Sequence, residues 1–179
     1  MVWKLVISIF VAAIALVAFA WYSSSVIVVK RILPGSKQAV WNLWNDPQLI
    51  QQWWGPHGFS CPLAKNDPQV GGGYLLGMQQ DGSDRIDYNV GTYTEIIPMK
   101  RMVSSLSFSD ATGKSMPGSK VRLPGSWPDS VQIEFDFLEL SAGTTEVTIT
   151  EKGIPLILKL GAKMGWEQQL DKIEKLLKK

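Results

Sequence analysis

Two side chains with the chemistry of catalysis stand close together in "QQWWGPHGFSCP", residues 51–62: His57 and Cys61, the only histidine and the only cysteine of the chain. A thiol beside an imidazole suggests a nucleophile with its base, which requires hydrogen-bond reach and a third group to orient the ring. A spacing of four would bring them together on a helix, but Gly55, Pro56, Gly58 and Pro62 forbid a helix here. In extended chain they stand apart, and no second histidine can serve a distant dyad. A zinc site needs about three or four ligands, mostly His and Cys, and the chain offers one of each. We therefore expect no catalytic dyad and no metal site: His57 reads as a surface-turn residue and Cys61 as a small buried hydrophobe.

Other chemistries fare no better. "GGGYLLG" (71–77) leads into a strand pattern and not a helix N-terminus, so it is no phosphate cradle, and no cofactor is expected. Asp67, Asp84, Asp87, Glu134 and Asp136 could be imagined as acid and base. Glu134 and Asp136 alternate with the apolar face of their segment, however, and are expected to be solvated surface charges.

The aromatic inventory remains: Trp41, Trp44, Trp53, Trp54, Trp127 and Trp166 are many for a domain of this size. Such residues most often form simple core, yet pockets for apolar ligands are walled by the same types. The candidate ligand-binding residues are Trp54, Phe59, Tyr74, Tyr93, Phe108, Phe135, Met164 and Trp166. Strand parity supports Tyr74, Phe108 and Phe135 as inward; Tyr93 has the opposite parity to Val90 unless a bulge at Gly91 intervenes.

The elements that must hold these residues can be read in turn. With 179 residues, 45% hydrophobic and 19% charged, the chain suits one well-buried domain plus an appendage. A net charge of +2 without a basic run gives no footprint for nucleic acid, and a single cysteine excludes a disulfide-stapled scaffold. The appendage is residues 1–23, in which Leu5 to Tyr22 is almost unbroken apolar and Lys4 is the only charge. As a helix it would cross most of a hydrocarbon core about 30 Å thick, with Trp3, Trp21 and Tyr22 at the interfaces, so residues 3–22 are expected to be a transmembrane anchor. Ala18-Phe19-Ala20 leaves a cleaved signal open, which would make the protein secreted or periplasmic; Trp21 and the length of the run favour the anchor. The side of the membrane is undetermined.

Residues 24–179 form the domain. "SSSVIVVKRIL" reads as a strand; Ser36 and Asp46-Pro47 open two short helices that end at Trp53-Trp54. From Phe59 to Glu151 the period is two, with turns at 71–73, Asp81-Gly82, Pro98 and Ala142-Gly143, as in an antiparallel meander. Residues 110–128 are Gly- and Pro-rich and read as an inserted, mobile loop. After Pro155, Leu156, Leu160, Met164, Leu170, Ile173 and Leu177, joined by Trp166, read as the stripe of one amphipathic helix.

Strand, two short helices, about six strands and a long helix is the helix-grip order. "VWNLWNDPQLIQQWWGPHGFSCP", "VGGGY", "GTYTEIIPMKRMV" and "GWEQQLDKIEKLL" moreover resemble signature segments of the START-like SRPBCC superfamily. The similarity is to its branch resembling the activator of heat-shock-protein ATPase, as a single AHSA-type domain, and runs from about Ser24 to Lys179. It implies an α+β helix-grip fold, with a curved antiparallel sheet of about seven strands around the C-terminal helix. Between sheet and helix it implies a cavity for an apolar small molecule or lipid. The eukaryotic activators carry a further chaperone-binding domain that this chain lacks, so chaperone activation is not expected. The apolar N-terminal segment and the long 110–128 loop stand outside the family pattern. Two alternatives remain: a cyclase- or hydrolase-like enzyme using cavity acids or tyrosines, and an interaction module docking through residues 110–128 and Trp127.

Overall fold

The structure is a computed structural model that describes residues 26–179. The predicted anchor lies outside the described residues, and among the described residues no helix is long and apolar enough to cross a membrane. β1 (Val26–Leu33) is followed by helices α1 (Lys37–Asn45) and α2 (Pro47–Trp53). Both helix starts follow from local chemistry. Ser36 Oγ accepts from Ala39 N at 3.2 Å, Asp46 Oδ1 accepts from Gln48 N at 2.8 Å, and Pro47 occupies the first turn, where its missing N–H costs nothing.

The meander then runs β2 (Phe59–Ser60), β3 (Ala64–Asn66), β4 (Gly73–Gln80), β5 (Ile86–Ile97), β6 (Arg101–Ser109), β7 (Val131–Ser141) and β8 (Thr144–Lys152). The eight strands are antiparallel in the order β1-β8-β7-β6-β5-β4-β2, with β3 also pairing β4. Seven strands lie on the continuous path; the eighth is three residues long. The first strand closes against the last, Val26 opposite Lys152. Register shifts between Tyr93 and Glu95 and between Glu139 and Ser141 bend the sheet.

Period-two patterning sends Ile27, Val29 and Leu33, Tyr74 and Leu76, Met102, Val131 to Phe137 at odd positions, and Val147 and Ile149 to the concave face, where they are buried. Helix α3 (Lys159–Leu177), entered through a 3-10 turn at Leu156–Leu158, crosses that face. Arg31 on β1 aligns it by pairing with Glu167 at 2.6 Å, Asp171 at 2.9 Å and Glu174 at 3.4 Å, successive turns of one helix face.

The single stripe expected on α3 is in fact two. At 100° per residue, Leu160 and Met164 point about 130° away from Trp166, Leu170, Ile173 and Leu177. Trp166, Leu170 and Ile173 are buried on the sheet, whereas Leu156, Leu160 and Met164 are exposed. Met164, predicted to line the cavity, is 59% exposed and stands outside it.

The expected charge pattern of β7 needs a similar correction. Glu134 is on the convex face, as its parity requires, but it is buried beneath Arg101 and Lys152. Arg101 reaches Asp136 at 2.7 Å, Glu134 at 2.8 Å and Glu95 at 3.2 Å. Burial acts to raise the Glu134 carboxyl, and the bonds from Lys152 and Arg101 outweigh it, holding the group below the usual carboxylate range. These acids are cross-strand structural pairs.

Candidate functional site

The segment 51–62 is the hinge between helices and sheet. Gly55 (φ 92°) and Gly58 (φ 77°) take the left-handed conformation that turns the chain out of α2 and into β2. Helix α3 clamps this turn: Gln169 Oε1 accepts from Gly55 N and Gln168 Oε1 from His57 N, each at 3.0 Å. Lys172 Nζ donates to Gly55 O at 2.7 Å and Phe59 O at 2.8 Å. His57 is half-exposed and faces Asp171 at 3.6 Å. Cys61 is buried, donates to Leu63 O at 3.2 Å, and has its thiol pushed up to about 11 by burial. At neutral pH it is a thiol and no nucleophile.

Behind the hinge lies an internal cavity of about 30 Å³. The helices supply Trp44, Ile50, Trp53 and Trp54; the sheet supplies Asn66, Tyr74, Leu76, Tyr93, Ile133 and Phe135. Trp44, Trp53, Trp54, Trp166 and Phe135 form a closed ring of aromatic contacts, centroids 5.1–5.9 Å apart. Four of the predicted residues, Trp54, Tyr74, Tyr93 and Phe135, line the cavity, and Trp166 backs the wall. Phe59 is half-buried in the hinge. Phe108 has the expected inward parity but lies further along β6, edge-on to Trp127 at 5.3 Å in a separate small pocket under the 110–128 loop. Trp127 is thus turned into the protein and not presented for docking.

Tyr93 needs no bulge at Gly91. Val90 is the outward residue, so Asn89, Gly91 and Tyr93 share the concave face, and the register shift falls after Tyr93. Gly91 has another function: a Cβ there would lie 2.3 Å from Tyr74 Cζ and 2.1 Å from Ser105 O. The ring of Tyr74 crosses over this glycine, and its hydroxyl donates to Ser105 O at 2.7 Å. Tyr93 donates to Asn66 Oδ1 at 2.8 Å, while Asn66 Nδ2 donates to Asn45 O at 3.0 Å and Trp44 O at 3.3 Å. Burial raises both tyrosines far above their ordinary range. Their protons are held by protein acceptors, which suits neither for general-base work.

The indoles divide differently. Trp53 Nε1 donates to Leu43 O at 2.7 Å and Trp166 Nε1 to Glu151 Oε2 at 2.8 Å. Trp44 Nε1 and Trp54 Nε1 are buried and have no acceptor among the described residues. Each such group costs roughly 1–3 kcal/mol while unpaired, and both residues line the cavity.

Sequence reasoning missed Glu151, buried on the concave face beside the aromatic ring, with its carboxyl pushed up to about 7 by burial against the lowering effect of the Trp166 bond. The signal is present in the strand: Val147 and Ile149 set the inward parity, and two residues further it reaches Glu151. Among the described residues no carboxylate lines the cavity itself.

A family model described as "Activator of Hsp90 ATPase homolog 1-like protein" matches residues 35–178. The chain belongs to this family. No curated protein matches it, but solved structures share its fold. A protein from Chromobacterium violaceum is 26% identical over 87% of this chain and 98% of its own, with a TM-score of 0.71. A protein from Arthrobacter aurescens, 18% identical over 88% of both chains (TM-score 0.72), shows the fold alone. So does the AHSA1 protein from Silicibacter pomeroyi, 16% identical over 85% of this chain and 96% of its own (TM-score 0.68). What these structures share with this chain is the antiparallel sheet with its C-terminal helix.

Proposed function

We propose that the domain holds a small, largely apolar molecule carrying a hydrogen-bond acceptor, bound between the sheet and the aromatic ring. The observation that carries this reading is the pair of buried indole donors, Trp44 and Trp54, unpaired on one cavity wall. Ligand pockets are apolar enclosures in which a few polar groups fix orientation, and an acceptor between these donors would recover their lost hydrogen bonds. The volume bounds the ligand: about 30 Å³ is the scale of one or two waters, whereas drug-sized pockets span roughly 300–1,000 Å³. A compact ketone-like molecule needs modest widening; a whole lipid needs α3 to part from the hinge. The apolar run at residues 5–22 supports a membrane tether that would keep the domain beside a supply of apolar solutes.

The test is a titration of the ¹⁵N-labelled full chain in mild detergent with cyclohexanone and, separately, cyclohexane, following the eight indole N–H resonances. The signals removed by Trp44→Phe and Trp54→Phe should shift saturably with the ketone and not with the hydrocarbon. Equal responses to both probes, or none, would sink the reading. A second reading, proton-transfer catalysis, is favoured by Glu151 alone, the one described acid on the concave face with a raised carboxyl. It requires turnover that disappears in Glu151→Gln with Trp166 packing unchanged.

A further inference from the structure

The N-terminal half of α3 leaves an apolar surface that the fold does not use. Ile157 is 71% exposed, Leu160 78% and Met164 59%, with Leu156 beside them at 48%. The 110–128 loop reaches the same place: a Cβ on Gly125 would lie 2.7 Å from Pro155 and 3.2 Å from Ile157, and Leu123, two residues earlier, is 46% exposed. The two segments that build this surface, 118–126 and 156–166, carry Lys120, Arg122, Lys159 and Lys163 and no acid. Exposed leucine, isoleucine and methionine rimmed by cations suit an anionic bilayer surface, where apolar side chains enter the headgroup boundary and basic ones stay among the phosphates.

The position of this surface selects the occupant. Val26, where the described chain begins, pairs with Lys152, four residues before Leu156. Upstream, four residue steps separate Val26 from Tyr22, the last residue of the apolar run. Each interval spans at most about 14 Å when extended. The described chain therefore begins beside the strand end that leads into the exposed apolar surface, and the sequence upstream of it is apolar.

We propose that Leu156, Ile157, Leu160 and Met164, with Leu123, form a docking surface that lies in the interface of an anionic membrane. This fixes the domain with the start of α3 against the bilayer. The docking rests on exposure, charge and position, and so stands or falls separately from ligand binding in the cavity.

To test it, an environment-sensitive nitrobenzoxadiazole dye is attached at Met164→Cys in the full chain reconstituted in phosphatidylcholine–phosphatidylglycerol vesicles. A control dye is placed at Leu138→Cys, a comparably exposed position on β7. Alkaline washing of the same vesicles reports the anchor. The expected result is a blue-shifted dye at position 164, quenched by nitroxide-labelled lipid, with the control dye unquenched. Lys159→Gln and Lys163→Gln should each lower the docked-to-free ratio about fivefold on anionic vesicles and leave it unchanged on neutral ones. Quenching seen before the wash in a chain that alkali then releases supports docking without the anchor. A retained chain with position 164 as water-exposed as the control overturns docking and leaves the anchor standing. A blue shift without vesicles would mean that another copy or the chain's own N-terminal segment covers the surface, and also overturns it.

Discussion

Replacing Glu151 with Gln is expected to flatten the pH dependence of stability between pH 5 and pH 8. The carboxyl is buried on the concave face with one bond, from Trp166, and titrates at about 7 in place of 4.5. Below pH 4.5 folded and unfolded chains both hold the proton, and the group contributes no difference. As pH rises, the unfolded chain releases its proton first, so stability falls until the folded carboxyl also ionises above about pH 7. The distance from 4.5 to about 7 corresponds to about 3 kcal/mol at full ionisation. Most of this, about 2–3 kcal/mol, falls between pH 5 and pH 8, or roughly 5–10 °C in melting temperature for a domain of this size. Glutamine keeps an acceptor for Trp166 Nε1 and cannot ionise. Urea unfolding of wild type and Glu151→Gln in the same detergent, at each pH from 5 to 8, gives the difference directly, because every other titrating group is shared. Two parallel stability curves would refute the argument, since they would show that the carboxyl ionises as easily in the fold as in the unfolded chain.

Gly91→Ala should destabilise by about 3 kcal/mol or more, because the new methyl meets both a strand carbonyl and the Tyr74 ring; a urea midpoint unchanged within error would remove Tyr74 from its assigned place over β5. Cys61 should react with iodoacetamide at pH 8 about a hundredfold more slowly in the folded chain than in urea. Raising the thiol from 9.0 to about 11 cuts its thiolate fraction by that factor before access is considered, and equal rates would show the sulfur to be open.

Much of the fold is legible in the sequence because strand parity and helix capping are local. Ser36, Asp46-Pro47 and the hinge glycines act within a few residues of themselves, and the sheet order follows from short connections between alternating segments. Tyr93 is less legible, because an apolar Val90 reads as inward; the 110–128 loop, whose Gly113 lies beside Val90 and Leu75 on the convex side, leaves no mark in the strand's own pattern. On α3, apolar residues at spacings of three and four join into one stripe across Met164 and Trp166, which the helical angle separates. Asn66 gives no signal at all: its value lies in tying β3 to the carbonyls at the end of α1, a contact made across more than twenty residues.

In this geometry, binding of the proposed ligand would have to be coupled to opening. Trp54 is held between Trp53 and Trp166 and ends at Gly55, whose N–H and C=O are both taken by α3 side chains, Gln169 and Lys172. Any widening of the cavity along that wall therefore draws on the α3 clamp. Toward the start of α3 the packing is sparser: a methyl placed on Gly161 or Gly165 would have nothing beyond its own helix within 4 Å, and Leu156, Leu160 and Met164 face outward. The helix is anchored at its middle and C-terminal half by Trp166, Leu170, Ile173 and the Arg31 bridges, and at its beginning only by the partly buried Leu158 and Ala162.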